Sequence, residues 1–196
     1  GINAVRFHML DAGVLFVPGA PDTRQLDTNA LDRLDRLVAE LKRRGIYVNL
    51  NLNAGRRYRP ADGVRDADQL YYGKAATFFN RRLIELQQEF ARQLLTHSNP
   101  YTRAEYRHEP AVATIELVNE NSLLEAWVSG RLVGQTVTNP HTWSPLPTSY
   151  AEELTALYND WLRSRVPPSE LARLREEAGV GPEAPVDRTP NRHVAP

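Results

Sequence analysis

The segment that most constrains the fold is a strand at residues 46–53, which begins directly after a helix ending at Gly45. A strand that follows a helix without a loop is typical of a βαβ unit, in which helices cover the sheet. Asn is a poor strand former, so the three alternating Asn residues of this strand indicate a packed interior that hydrogen-bonds them. The apolar face comprises Ile46, Val48, Leu50 and Leu52, and the other face comprises Tyr47, Asn49, Asn51 and Asn53.

Two further strands and several helices complete an alternating pattern. Strands are predicted at residues 2–9 and 111–118. Residues 54–77 are predicted to form a long loop, and residues 180–196 a mobile Pro-rich tail or a truncated connection. Helices are predicted after Asp27 or Thr28, after Asn80, at residues 122–132, behind a capping box of Ser149 and Glu152, and after Ser169 as far as Ala178.

This order predicts an α/β fold with parallel strands joined by right-handed crossovers. Both an open doubly wound sheet and a piece of a (β/α)8 barrel satisfy it. Polar side chains gather near the carboxyl ends of the strands, which favours the active face of a barrel. We therefore expect a partial TIM barrel of about three βα units over residues 1–179. The polar side chains are Arg6 and His8, then Asn49, Asn51 and Asn53, then Glu116 and Glu120.

The composition excludes several classes of function. The 196 residues include 24 basic and 24 acidic side chains, and this balance argues against nucleic-acid binding. The chain has no Cys, so thiol chemistry and disulfides are excluded. It has no apolar run long enough for a transmembrane helix, and no phosphate-binding or serine-hydrolase motif. We expect neither a cofactor nor a metal, since His8 with Asp11 is a weak ligand pair at best.

The segment after the third strand carries the sharpest candidate for chemistry. In a regular strand, Glu116 and Glu120 point to one side, and Ile115 and Leu117 point towards the helices. Glu120 then lies at the end of the strand, where a partly desolvated carboxyl can act as a general acid. The alternative is that Glu120 caps the helix that begins near Ser122. Glu116, if it is buried in a barrel, needs a partner, and Arg6 on a neighbouring strand is the natural candidate.

Three segments resemble strands two, three and four of clan A glycoside hydrolases, in particular the cellulase-like enzymes of family 5. They are residues 1–8 (GINAVRFH), residues 41–50 (LKRRGIYVNL) and residues 115–121 (IELVNEN). The stretch at residues 94–102 is similar to the lead-in to strand four. The resemblance covers residues 1–165 and implies a (β/α)8 barrel that hydrolyses O-glycosidic bonds in a polysaccharide or oligosaccharide. Members of the family are commonly secreted.

The resemblance also implies roles for individual residues. Glu120 matches the general acid/base at the end of strand four, and Asn119 matches the Asn that bonds the sugar 2-hydroxyl and the nucleophile. Arg6 matches the strand-two Arg that supports the ionised nucleophile, and His8 lies two residues further on, at the same mouth. Asn53 stands where many members carry a His, so the sequence departs from the family pattern at this substrate-binding position.

The second carboxylate of the family's mechanism has no counterpart in the sequence. A retaining enzyme needs a nucleophile about 5 Å from its acid/base, and in clan A the nucleophile comes from strand seven. We therefore predict an inactive fragment that begins at strand two, which fits the absence of an initiator Met. The later acidic residues are predicted in helices or in the tail: Glu152, Glu153, Asp160, Glu170, Glu176, Glu177, Glu183 and Asp187.

Loop residues supply further candidates for substrate binding. The aromatic residues Tyr71, Tyr72, Trp127 and Trp143 can stack on sugar rings or pack within the loops. The basic residues Arg56, Arg57 and Arg59 can bind acidic groups or belong to a salt-bridged loop.

Three functions stay open at the level of sequence. The first is a partial glycoside hydrolase, and the second is a non-catalytic carbohydrate-binding or scaffold protein on the same fold. The third is an open-sheet α/β protein of unrelated function. In the barrel interpretation, Arg6, Asn53 and Glu120 converge on one concave mouth, and the expected partner is a carbohydrate, with neither nucleic acid nor membrane involved.

Overall fold

The computed structural model describes residues 1–187, which alternate between strands and helices. None of the helices in this range is both long and apolar enough to cross a bilayer. The strands are β1 (Ala4–Phe7), β2 (Tyr47–Asn51), β3 (Ser98–Asn99), β4 (Ala104–Glu105) and β5 (Val112–Glu116). The helices are α1 (Thr28–Arg43), α2 (Ala67–Leu70), α3 (Arg81–Leu95), α4 (Leu123–Val128), α5 (Thr148–Arg165) and α6 (Pro168–Glu177). Short π or 3-10 turns lie at Leu10–Val14, Pro60–Asp62, Lys74–Phe78 and Tyr106–His108.

A parallel sheet of three strands, in the order β1-β2-β5, organises the molecule. In its register Arg6 lies opposite Asn49, and Asn51 lies opposite Glu116. Strands β3 and β4 form a separate antiparallel pair. The predicted α/β class with parallel strands is confirmed, although each strand of the main sheet is shorter than the sequence pattern suggested.

The two helices that cover the sheet begin where the sequence predicts, and of the two candidate caps for α1 the structure has Asp27. At the start of α1, the Asp27 carboxylate accepts a hydrogen bond of 2.7 Å from the Ala30 N–H. At the start of α3, Asn80 Oδ1 accepts one of 3.0 Å from the Leu83 N–H. Gly45 has a φ of 69° just after α1, a conformation that favours glycine at a helix end.

The two faces of the sheet differ in their surroundings. Val48, Leu50 and Leu52 of the β2 segment are buried in a core that also contains side chains from α1 and α3. Complete burial of such a side chain contributes about 1.5–3 kcal/mol. The opposite face carries exposed Arg6 and Thr114. The core is therefore one-sided, and the polar face of the sheet is open.

Strand β5 lies at the edge of the sheet and is less covered than expected. Ile115 and Leu117 were expected to face the helices, but they are 38% and 67% exposed. The prediction of helical cover at these two positions is wrong. An edge strand has a neighbouring strand on one side only, so its side chains lose half of their flanking contacts.

Residues 54–77 are not the long unstructured loop that the sequence suggested, because they contain three short helical segments. A buried carboxylate anchors them. Asp62 accepts hydrogen bonds of 2.9 Å from both the N–H and the hydroxyl of Thr23, and one of 2.7 Å from the Arg59 N–H. The buried guanidinium of Arg56 donates to the Thr23 carbonyl at 2.6 Å. The Arg59 guanidinium donates to three backbone carbonyls at 2.8 to 3.0 Å, so both Arg56 and Arg59 hold the loops together.

Two predicted helix caps are wrong for a common reason. Helix α5 follows Pro147 and α6 follows Pro167, and neither has a side-chain cap. Proline fixes φ near the helical value, so the helix can begin one or two residues before the expected Ser. Ser149 instead donates a hydrogen bond of 2.5 Å to Asp66, and Ser169 lies inside α6.

The first part of the predicted tail is packed. Val186 is buried beside Leu162 and Leu171, and its N–H donates to Asn159 Oδ1 at 2.7 Å. The Asn159 side chain also donates to the Val186 carbonyl at 2.9 Å. The rest of the predicted tail, residues 188–196, lies outside the described residues.

Candidate functional site

A polar network joins the carboxyl ends of the three parallel strands. Arg6 Nε and Nη2 donate to the two carboxylate oxygens of Glu116, each at 2.8 Å. Arg6 Nη2 also donates to Asn119 Oδ1 at 2.5 Å. Glu116 therefore has the basic partner that the sequence suggested it would need. The bidentate geometry fixes the guanidinium plane, and with it the amide of Asn119.

Asn53 and Asn119 lie side by side and are both buried. The Asn119 N–H donates to the Asn53 carbonyl at 2.8 Å. Asn53 Nδ2 is buried and has no hydrogen-bond partner within residues 1–187. An unsatisfied buried donor is costly.

Glu120 occupies the turn just beyond β5 in a strained conformation. Its φ is 42°, in the left-handed region that L-residues other than Asn and Asp rarely adopt. Its side chain is exposed and makes no hydrogen bond within the described part of the chain. It does not cap α4, because Ser122 does so by accepting from the Glu125 N–H at 3.2 Å. A strained, exposed carboxylate at this position is a candidate functional group.

Lys74 is a residue of this site that the sequence did not reveal. Its Nζ donates to the Asn119 carbonyl at 3.1 Å, and its own carbonyl accepts from Asn121 Nδ2 at 2.6 Å. Burial lowers the pKa of Lys74 below its usual value, and the charge of Glu120 opposes that effect. The one feature of the sequence that could have drawn attention to Lys74 is the rarity of lysine, since Lys42 is the only other lysine among 24 basic residues.

His8 lies at the same edge. Its side chain is exposed, and its Nδ1 is 3.3 Å from Nδ2 of the buried Asn51. Arg6, His8, Asn119 and Glu120 are all placed at or just beyond the carboxyl ends of β1 and β5.

Asp11 has a structural role at this edge. Its buried carboxylate accepts hydrogen bonds from the successive N–H groups of Ala54, Gly55 and Arg56 at 3.0 to 3.3 Å. Burial raises its pKa, and these backbone contacts partly offset the rise. Within residues 1–187 no three His, Asp or Glu side chains form a metal-binding group, so the His8–Asp11 pair gains no further ligand.

An aromatic cluster packs beside the end of β2. The rings of Tyr71 and Tyr72 are 4.2 Å apart, and the Arg57 guanidinium lies 4.3 Å from the Tyr71 ring centre. Tyr72 lies close to the backbone at Gly55, just after β2. A methyl group placed on Gly55 would lie 3.3 Å from the Tyr72 ring. This cation–π contact holds the Arg57 side chain in place. Both roles considered for Tyr71 and Tyr72, packing within the loop and stacking on a sugar ring, are compatible with it.

The two tryptophans named by the sequence differ in environment. Trp127 is half-buried and packs against the apolar cluster that includes Leu86 and Tyr150. Trp143 is 58% exposed, and the Arg131 guanidinium lies 4.9 Å from its ring centre. Trp143 therefore has the more accessible surface for a ligand, whereas Trp127 contributes to the core.

Comparisons with known proteins give a coarse structural likeness. No family model matches the chain, and no curated protein matches it. Among solved structures, the chain is similar to the endo-beta-1,4-mannanase from Thermotoga petrophila, with 20% sequence identity and a TM-score of 0.42. The match covers 79% of this chain and 30% of the mannanase chain. This chain thus spans less than a third of the length of the protein it matches.

Proposed function

We propose that the chain is part of a retaining glycoside hydrolase of the clan A barrel type, with β1, β2 and β5 as strands two, three and four. The observation that supports this most directly is Glu120, an exposed carboxylate in strained backbone at the carboxyl edge of a parallel sheet. Strain at such a position is usually retained where function requires it. The segments that resemble the family supply the assignment of reaction class.

The proposed chemistry assigns one step to each residue. Protonated Glu120 gives its proton to the leaving glycosidic oxygen, and the resulting carboxylate later takes a proton from water. Arg6 has only donors, so the Asn119 atom that it contacts must be the carbonyl oxygen. The Nδ2 of Asn119 is then left to donate to a sugar hydroxyl. His8, Asn53 and the exposed Trp143 are proposed to contact substrate.

The nucleophile is proposed to be absent from this chain. Apart from Glu120, two carboxylates have a charge that affects the pKa of Lys74, namely Glu116 and Asp11. The first is held by a guanidinium and the second by three backbone N–H groups. The same observation favours the second candidate, a carbohydrate-binding or scaffold protein that keeps the barrel without the chemistry. A Glu at a later strand end in the full reading frame separates the two, because only the enzyme needs it.

Two assays test the proposal on the isolated chain. Affinity electrophoresis through gels containing soluble polysaccharides should retard the chain in at least one gel, and Asn119→Ala should weaken the retardation. Glu152→Gln, an exposed change on α5, is the matched control and should bind as the parent does. Release of reducing sugar should be at background. Lack of retardation in every gel contradicts the carbohydrate assignment, and turnover abolished by Glu120→Gln contradicts the missing nucleophile.

A further inference from the structure

The strained backbone at Glu120 is held through its two neighbours. On one side, the Asn119 N–H donates to the Asn53 carbonyl at 2.8 Å, and the Asn119 carbonyl accepts from Lys74 Nζ at 3.1 Å. On the other side, Asn121 Nδ2 donates to the Lys74 carbonyl at 2.6 Å. Two of these three contacts involve residue 74, one through its side chain and one through its backbone.

These contacts oppose a real energetic preference. Left-handed backbone costs an L-residue about 1–2 kcal/mol, and Glu120 itself makes no compensating hydrogen bond within the described residues. The conformation must therefore be imposed by the residues on either side. Hydrogen bonds to a charged donor such as an ammonium are stronger than neutral ones, so the Lys74–Asn119 contact is well suited to do this.

Among the carboxylates around Lys74, the charge of Glu120 has the largest effect on it. Burial lowers the pKa of Lys74, and three carboxylates oppose that shift, Glu120 first and then Asp11 and Glu116, while Arg131 adds to it. Asp11 is satisfied by backbone N–H groups and Glu116 by a bidentate guanidinium. The half-buried ammonium is thus left with the exposed carboxylate of Glu120 as the partner whose charge is not already compensated.

We propose that Lys74 is the positioning residue for Glu120: it holds the residues on both sides of it, and its ammonium lies where the charge of the Glu120 carboxylate acts on it. As a statement about catalysis the proposal rests on the proposed role of Glu120 as acid/base. In that role, the ammonium stabilises Glu120 during the half of the cycle in which it is ionised. A lysine that merely supports the turn at residues 119–121 would make the same two hydrogen bonds without sensing the charge of Glu120.

The test uses the small number of lysines. With the Cε carbon of lysine labelled by ¹³C, the NMR spectrum contains two side-chain signals, from Lys42 and Lys74. Lys42 pairs with Glu109 at 2.8 Å and is the internal control. Glu120→Gln should move the pH titration of Lys74 to lower pH and leave that of Lys42 in place. An unchanged Lys74 titration overturns the proposal.

A second variant addresses the backbone. Lys74→Met keeps the length of the side chain and the backbone carbonyl but removes the ammonium. It should shift the Cα and amide signals of Glu120 away from left-handed values, and unchanged Glu120 signals also overturn the proposal. Carbohydrate binding is a separate readout: coupling between Lys74 and Glu120 without sugar binding refutes the proposed function alone, and sugar binding without the coupling refutes this inference alone.

Discussion

Arg6 Nη2 and Asn119 Oδ1 are joined by a hydrogen bond of 2.5 Å, which connects the end of β1 to the turn beyond β5 across the intervening strand. The same guanidinium pairs with Glu116. Because one side chain makes all of these contacts, the orientation of the Asn119 amide depends on a residue more than a hundred positions away in the sequence.

Replacing Arg6 by Met should free Asn119 and leave Glu116 without its partner. We expect a loss of about 1 kcal/mol in the free energy of unfolding, since the pair is partly exposed. The side-chain amide signal of Asn119 should also lose its distinct NMR shift. Arg24→Met is the control, because Arg24 pairs with Glu89 on the surface away from the site. A signal of Asn119 unchanged in Arg6→Met would refute the coupling.

Strain at Glu120 predicts an inverted preference between glycine and alanine. Glu120→Gly should be more stable than Glu120→Ala by about 1 kcal/mol, because only glycine adopts left-handed backbone without steric cost. At Glu152, exposed within α5, the order should reverse by about 1 kcal/mol. Urea denaturation of the four variants measures both differences. The same order at both sites would show that residue 120 is not strained.

The lowered pKa of Glu109 predicts that its contribution to the free energy of unfolding is lost in acid. Burial raises its pKa, but hydrogen bonds from Lys42 and the Ala111 N–H lower it more, so the pKa lies below its usual value. A carboxyl whose pKa is lowered by folding stabilises above its unfolded pKa, and this contribution is lost as the pH falls through its folded pKa. Lys42→Met should therefore cost about 1–2 kcal/mol at pH 7 and progressively less below about pH 4.5. A cost that does not change with pH would contradict this.

The exposed edge at β5 predicts self-association of the isolated chain. Ile115 and Leu117 present apolar surface beside unpaired strand backbone, which is a template for pairing with another chain. Leu117→Lys should reduce the associated fraction in size-exclusion chromatography with light scattering. Leu37→Lys, at a 46% exposed position on α1, should not. A soluble monomer with a sharp cooperative melt would contradict the expectation of a marginal, edge-exposed unit.

The elements with local signals were predictable from the sequence. One of the two candidate caps, Asp27, caps α1, a helix follows Asn80, and Gly45 ends the first helix, because capping depends on side chains a few residues apart. The partner of Glu116 was also predictable, because parallel strands bring Arg6 to the same edge. Such predictions follow from periodicity and from the rule that side chains near the carboxyl ends of parallel strands meet.

Features that depend on distant contacts were not predictable. Lys74 reaches Asn119 from a segment that looked like loop, and its role requires the fold of that segment to be known. The burial of Asp62 has the same origin, since its partner Thr23 lies in another loop. The exposure of Leu117 depends on where the sheet ends, and nothing in its local sequence reports that.

The most direct test of the proposed carbohydrate site is an NMR titration of the uniformly ¹⁵N-labelled chain with a panel of soluble oligosaccharides. We predict saturable shifts, with at least one sugar, in the amides of His8, Asn119 and Glu120. The Asn119→Ala variant should show weaker binding. Absence of saturable shifts with every sugar, or shifts confined to the surface around Arg36 of α1 and Tyr101, would contradict this prediction.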